Sequence, residues 1–355
     1  MRDEIRLFSI PSVNRNNKYI ELLLSALEGA SSELKVMRIK NDKIINIFRN
    51  HENFKEGGKK IIHIHWSTTL YGSRYILKSF FLLAVNSVTL FILKTLFGFK
   101  IVWTIHNNFA HDYPHPYVDK LGRSILFGLS DAVTVHQKKI LLMLQKRHPK
   151  KKIFHVSHGN YIDVYGPIVP RDYELRRSFD FEDDDVVLLS FGAVAPYKLN
   201  EKIIDALVSA RRKNKKLKLL IAGKGRESYA ESLKRHANDL GVVIQNKLIA
   251  DSDLPRYLSV ADYAVFYYDD SEMTSGAMVL ALSYGVPVIT RNIPAAEIVN
   301  GLNGQVFEDE YGLVRILQDI REPLSRVKQR DIIDDIRQYG WLDLAPKILK
   351  VYRSI

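Results

Sequence analysis

Asp269 to Ile289 reads DDSEMTSGAMVLALSYGVPVI. The apolar run just before it, Tyr263 to Tyr268 (YAVFYY), has the length and composition of a buried strand. Thr274, Ser275 and Gly276 lead into Ala277 to Leu282, a breaker-free run of helical character. Gly285 is placed to stop that helix, and Val286 to Ile289 opens a second buried strand. The order is strand, loop, helix, strand, and the loop brings a small residue to a helix N-terminus. Such an end carries unpaired N–H groups and a partial positive charge, which suits a phosphate. Glu272, just ahead of it, suits sugar hydroxyls instead. A capped helix in any parallel α/β sheet fits the same pattern.

The alternation extends outward in both directions. Ile5 to Ile10, Leu34 to Ile39, Lys60 to Trp66, Lys100 to Ile105 and Ala132 to Val135 read as strands in the first half. Tyr19 to Leu27 and Lys120 to Leu129 read as helices between them, the order of a parallel sheet with crossover helices. Pro167 and Pro170 break the chain between Gly166 and Glu174, the expected linker. Val186 to Phe191 and Leu217 to Ala222 then restart the pattern, and Asp331 to Ile355 is a helical tail interrupted at Gly340. Asp183 to Asp185 superficially suggests a metal-binding Asp-x-Asp but precedes a first strand, where a loop is expected.

The 269–289 stretch resembles the donor-site signature of GT-B glycosyltransferases, in particular the large GT4-type group. There a Glu opens the loop, a second Glu lies eight positions on, and a Gly-x-Pro-Val-Ile strand follows. Glu272 and Gly285 to Ile289 fit; the second Glu is replaced by Leu280. The Thr-Ser-Gly-Ala form is closer to bacterial exopolysaccharide enzymes of the xanthan-type glycolipid mannosyltransferase kind. The resemblance implies an α/β chain with two Rossmann-like doubly wound domains facing a central cleft. Residues 1–166 would bind the acceptor, 175–335 the nucleotide sugar, and 336–355 would form a last helix crossing back to the first domain. Gly192 to Lys198 resembles the first donor loop; Lys198 fits its Lys, while Ala195 stands where an Arg is expected. With one cation missing, the helix end at Ser275 and Gly276 has to carry more of the leaving charge. Thr274 and Ala277 complete the donor set, and Lys224, between Gly223 and Gly225 at a strand end, is a further phosphate candidate.

In the first half, His106 follows the strand Lys100 to Ile105 and fits the family's His that faces the donor sugar. Asp112 is the nearest carboxylate in that loop and the candidate base for an inverting reaction. Trp66, at a strand end, is suited to flank a sugar ring, and Asn14 lies in a polar loop after the first strand, where acceptors bind in such sheets. His63 and His65 share a strand face, the spacing of a metal pair, but no third ligand is evident nearby. Phe154 to Tyr161 resembles the strand and turn that close the first domain, with Gly159 giving the turn its backbone freedom.

Composition limits the alternatives. With 355 residues, 46% hydrophobic and 26% charged, the chain has material for two folded domains. It has no cysteine, which excludes disulfides, thiolate metal sites and a cysteine nucleophile. The net charge of +12 calls for an anionic partner. Nucleic acid is the rival class, but no basic stripe interleaved with exposed aromatics and no recognisable module is present. Tyr75 to Phe99 is the most apolar stretch, read either as a buried core helix or as an amphipathic helix on a bilayer with Arg74, Lys78, Lys94 and Lys100 near anionic headgroups. The start MRDEIRLF is not that of a signal peptide, so a cytoplasmic location at the cytoplasmic face of the membrane is expected. The expected activity is transfer of a hexose from a GDP- or UDP-linked donor to a lipid-linked or surface-polysaccharide glycan, without metal or other cofactor. A GT-B sugar-nucleotide epimerase and a non-catalytic scaffold are the alternatives, and inverting and retaining chemistry both fit.

Overall fold

A computed structural model describes residues 4–13, 17–49, 54, 57–109, 113–238, 241–270, 272–320 and 325–355. They form two compact units, one of residues 1–159 with 339–355 and the other of residues 160–338.

The first unit runs β1 (Ile5–Ile10), α1 (Tyr19–Ala30), β2 (Leu34–Val36), β3 (Lys59–Ile64), α2 (Ile76–Phe97), β4 (Lys100–Ile105), α3 (Pro116–Leu129), β5 (Ala132–Val135), α4 (Lys138–Arg147) and β6 (Lys152–His155). The second runs α5 (Tyr173–Arg177), β7 (Val186–Phe191), α6 (Asn200–Ala210), β8 (Leu217–Ala222), α7 (Glu227–Ala237), β9 (Val242–Gln245), α8 (Leu254–Val260), β10 (Tyr263–Phe266), α9 (Gly276–Ser283), β11 (Val288–Arg291), β12 (Gly304–Phe307), α10 (Glu310–Asp319) and α11 (Arg326–Ile336). The last helix, α12 (Trp341–Arg353), returns to the first unit.

Each unit has a six-stranded sheet, ordered β2-β1-β3-β4-β5-β6 in the first and β12-β11-β10-β7-β8-β9 in the second. Every pairing is parallel. Strands covered on both faces read as continuous apolar runs, and VVLLSF of β7 is buried at all six positions. In the first unit α12 completes the core: Leu344, Ile348 and Leu349 pack with Ile20, Leu23 and Leu27 of α1. Gly159 leaves room for this helix, since a Cβ there would lie 2.3 Å from the Trp341 ring. Space rather than the backbone freedom expected from the sequence is therefore what Gly159 provides.

Of the two readings of the apolar stretch 75–99, the buried core helix is not the one that forms: α2 lies at the surface, with only Ser79, Leu83, Thr89, Leu90 and Leu93 buried. In the basic run after α4, Lys151 donates to the carbonyls of Phe127 and Ser130, and Lys152 to that of Ser354. These lysines tie backbone ends together.

The amino ends of the second sheet are fixed by a buried charge cluster. Asp262 accepts from the Val187 N–H at 2.8 Å and from Arg176 at 3.4 Å, and also pairs with Arg171. Arg176 and Asp262 are both fully buried. Removing one member strands the other charge without water, a loss of about 3–5 kcal/mol. Asp262→Ala is expected to lower unfolding free energy by that amount in urea titration; a change below about 1 kcal/mol, the size of an exposed ion pair, would contradict this account.

Candidate functional site

Ligands of open parallel sheets bind beyond the carboxyl ends of the strands, where the strand order reverses. In the second unit that point lies between β7 and β10. The two loops leaving it are Gly192 to Leu199 and Tyr267 to Ser275. Gly192 has φ +94°, a left-handed turn that glycine adopts without strain. The chain then passes Val194 to a single turn at Pro196–Lys198. On the other side Tyr268 donates to or accepts from Ser275 Oγ at 2.7 Å, while Ser275 caps α9 by accepting from the Met278 N–H at 3.2 Å. This cap leaves the first-turn N–H groups of Gly276 and Ala277, which no intrahelical carbonyl reaches, at the partially exposed mouth of α9.

Lys198 lies between these loops. Its side chain is buried, donates to the Phe191 carbonyl, and places Nζ 5.8 Å from the ring centroids of both Phe266 and Tyr268. Burial pushes its ammonium down to about 8, while the negative charge of Glu272 acts in the opposite sense. Glu272 is itself buried. A largely desolvated cation, an acidic side chain and a helix N-terminus thus meet at one end of one sheet. Thr274 is half-buried in the same loop. Arg291, to which the sequence assigned no role, ends β11 and holds this loop: it donates to the Tyr268 carbonyl at 3.2 Å and pairs with Asp270 at 2.9 Å.

Lys224 has an exposed side chain, while its carbonyl accepts from the Val194 N–H at 3.2 Å. The glycines around it do not await a ligand. A Cβ on Gly223 would lie 1.7 Å from Gly192 O, and one on Gly225 2.0 Å from Val194 O. They let the β7 and β8 loops touch, so the close approach inferred from the sequence is between two loops of the protein.

In the first unit the carboxyl ends of β3, β4 and β5 gather four histidines and a Tyr. Tyr19 packs its ring 4.9 Å from His106 and His158 and 5.8 Å from His65 and His136. The proton positions follow from the partners. His136 Nδ1 lies 2.8 Å from the Val156 carbonyl, which only accepts, so neutral His136 carries its proton there. Its Nε2 is then an acceptor and takes the Nδ1–H of His106 at 3.2 Å. His106 Nε2 is left as an unprotonated lone pair with no partner among the described residues. His106 is part of the lining of a cavity of about 140 Å³ whose walls include Trp66, Trp103, His65, Phe109 and Arg123. Trp66 stacks on the His106 ring at 4.9 Å and 17°, and Arg123 lies over Trp103 while donating to the Asn107 carbonyl at 2.7 Å. His63 is structural, bonded to Tyr352 OH and Thr104 Oγ1, each at 2.7 Å. No group of three or more His, Asp or Glu able to hold a metal occurs among the described residues. Asn14 and Asp112 lie outside them.

Residues 185–322 match the family model of the group 1 glycosyl transferases. The match covers β7 to α10 and includes Lys198 and the Glu272 loop, in agreement with the glycosyltransferase expected from the sequence. Solved structures of the same architecture include HepE of Anabaena in complex with UDP and glucose, 14% identical over 99% of this chain and 100% of that one, TM-score 0.69. Sucrose-phosphate synthase from Thermosynechococcus elongatus is 15% identical over 99% of each chain, TM-score 0.71. A structure from E. coli described as trehalose-6-phosphate, bound with UDP-2-fluoro glucose, is 9% identical over 99% of each chain, TM-score 0.70. These likenesses establish the GT-B fold. Comparison with curated protein sequences finds no match.

The buried histidines make the stability of the first unit depend on pH. Burial lowers His63 and His136 to about 3 and His158 to about 4, and holds His65 and His106 well below the ordinary value. Above the unfolded value near 6.5 both states are neutral and pH has no effect through them. Below it the unfolded chain binds protons that the native state refuses, so stability falls with pH. Each buried histidine is expected to remove about 2 kcal/mol between pH 7 and pH 5. Urea midpoints measured across that range test it, and a flat profile would refute the neutral cluster.

Proposed function

We propose that this chain transfers a hexose from a nucleoside diphosphate sugar to a glycan acceptor. The observation that carries the reading is the placement of buried Lys198 against Glu272 and the α9 N-terminus at the reversal of strand order. When the bond from the anomeric carbon to the diphosphate breaks, the electron pair and negative charge pass to the leaving oxygen. Lys198 and the N–H groups of Gly276 and Ala277 suit that charge, since fixed donors in a dry site need no rearrangement as it develops. Ser275 and Thr274 shape the loop, and Lys224 stands at its rim. Glu272 accepts hydroxyl hydrogens of the sugar.

The donor is assigned first to the UDP class, because neighbours of the same fold were solved with UDP and UDP-sugars, with GDP-sugars as the second candidate. The reading assigns no metal: the lysine and the helix supply the positive charge. In the first unit, His106 Nε2 is a buried lone pair that accepts a hydrogen bond from a sugar hydroxyl. Trp66 offers a ring face beside it, and Asn14 and Asp112 remain candidates on the acceptor side. An acceptor that is a lipid-linked or surface-polysaccharide glycan, of the exopolysaccharide kind, fits the resemblance of the Thr-Ser-Gly-Ala loop.

The test is ligand-dependent thermal unfolding with UDP, GDP and their hexose conjugates. A ligand at about 100 times its dissociation constant adds about 2.7 kcal/mol to stability. Lys198→Ala is expected to weaken the stabilising diphosphate about 10- to 100-fold, the value of a charged hydrogen bond. His106→Ala is expected to leave that binding unchanged while lowering transfer about 2- to 10-fold, the value of one hydrogen bond. Stabilisation by no nucleotide would remove the transferase reading in favour of a scaffold, and isomerised donor formed without acceptor would move it to an epimerase.

A further inference from the structure

The exposed face of α2 has the wrong chemistry for water. Leu77, Phe81, Ala84, Val88 and Phe91 recur at helical spacing and form one stripe. Leu77 is 81% exposed, Phe81 66%, Val88 57% and Phe91 56%. A helix on a globular surface ordinarily turns its apolar stripe inward and its charges out. Here the opposite stripe, with Leu83, Leu90 and Leu93, is also apolar and faces the first unit. Alongside, α3 adds Tyr117 and Leu121, 86% and 45% exposed.

The inward face is tied down by polar bonds. Asn86 Nδ2 donates to the Leu70 carbonyl at 2.8 Å, and Lys94 Nζ to the Leu129 carbonyl at 2.7 Å and to Asp131 at 2.9 Å. The 22 residues of α2 are long and apolar enough to cross a bilayer. Crossing would tear away these bonds and the packing of Leu83, Leu90 and Leu93. In this fold α2 therefore presents its side to a partner, not its end.

Charge identifies the partner. Residues 57–111 contain six Lys or Arg and no Asp or Glu. Residues 1–159 and 339–355 together hold 28 Lys and Arg against 12 Asp and Glu, whereas residues 160–338 hold 24 against 28. The excess positive charge of the chain thus belongs to the unit that carries the apolar stripe. Arg74 and Lys78, both exposed, flank the start of that stripe. An apolar face bordered by cations and free of acids is the pattern of a helix lying in the headgroup region of an anionic bilayer.

We propose that α2 docks the first unit, side-on and reversibly, to a membrane surface rich in anionic lipid, as found on the cytoplasmic leaflet. Phe81, Val88 and Phe91 enter the acyl boundary, and Arg74 and Lys78 meet the headgroups. This rests on the surface of the first unit alone and does not depend on the transferase reading.

The test is flotation of the full chain with phosphatidylcholine vesicles that contain or lack phosphatidylglycerol. The chain is expected to float with the anionic vesicles, less at high salt, and not with the neutral ones. Leu77→Ser/Phe81→Ser should abolish flotation with an unchanged thermal midpoint, since both side chains already stand in solvent. Lys78→Glu, which leaves the stripe intact, should reduce partitioning by at least about fivefold, the contribution of one basic residue near such a surface. Failure of the wild type to float would overturn the proposal, as would flotation undiminished in the double variant. A concentration-dependent dimer that the double variant abolishes, with no flotation, would assign the face to a second copy and overturn it as well.

Discussion

Strands that all run parallel cannot be joined by tight turns. Each must be followed by a crossover that returns the chain to the opposite end of the sheet. The carboxyl ends of six strands then lie along one edge, and the loops that leave them have no ladder to join. In both units that edge is where the unusual side chains collect. In the second it holds Lys198, Glu272 and the α9 N-terminus; in the first it holds Trp66, His106 and His136. The opposite edge bears fixtures such as the Asp262–Arg176 cluster, which pins strand starts.

Chemistry at the two edges differs in the means by which charge is handled. Asp262 and Arg176 neutralise each other and are bonded to the backbone as well. Lys198 has aromatic faces, one carbonyl and the nearby charge of Glu272. A cation held in that way gains from an incoming anion more than an exposed lysine would, because its water has already been removed. Arg291, restrained by Asp270 and the Tyr268 carbonyl, positions the loop that carries Glu272. It does this from the end of β11, far in sequence from Ala195, where the family resemblance had placed a second cation.

Much of this was legible in the sequence where the signal is local. β1, β4, β5, β7 and β8 have the bounds read from their apolar runs, and α9 stops short of Gly285, whose φ is +72°. Glu272 and Ser275 were read from the loop that leads into a helix start, and Lys198 from a family resemblance carried by a single loop. Elements with mixed composition went unread: α7 is ESYAESLKRHA and α10 EYGLVRILQD, each with a narrow apolar stripe amid charges. The histidine cluster was visible only in part. His63, His65 and His106 stand at strand ends, but Tyr19, His136, His158 and Trp341 reach the same place from separate parts of the chain. No periodicity connects them, and only the fold does. The roles of Gly159, Gly223 and Gly225 were hidden for the same reason, since each makes room for a segment distant in sequence.

The return of α12 to the first unit bears on how the chain is made. Its thirteen residues supply one side of the core against α1. On the ribosome, all of residues 160–338 are synthesised after the β1–β6 region and before this helix. During that interval Ile20, Leu23 and Leu27 lack the cover that α12 provides, while the second unit has everything it needs to close. The unit that begins before residues 160–338 is thus completed only after them, and its apolar surface is open to chaperones and to misassembly while they are synthesised.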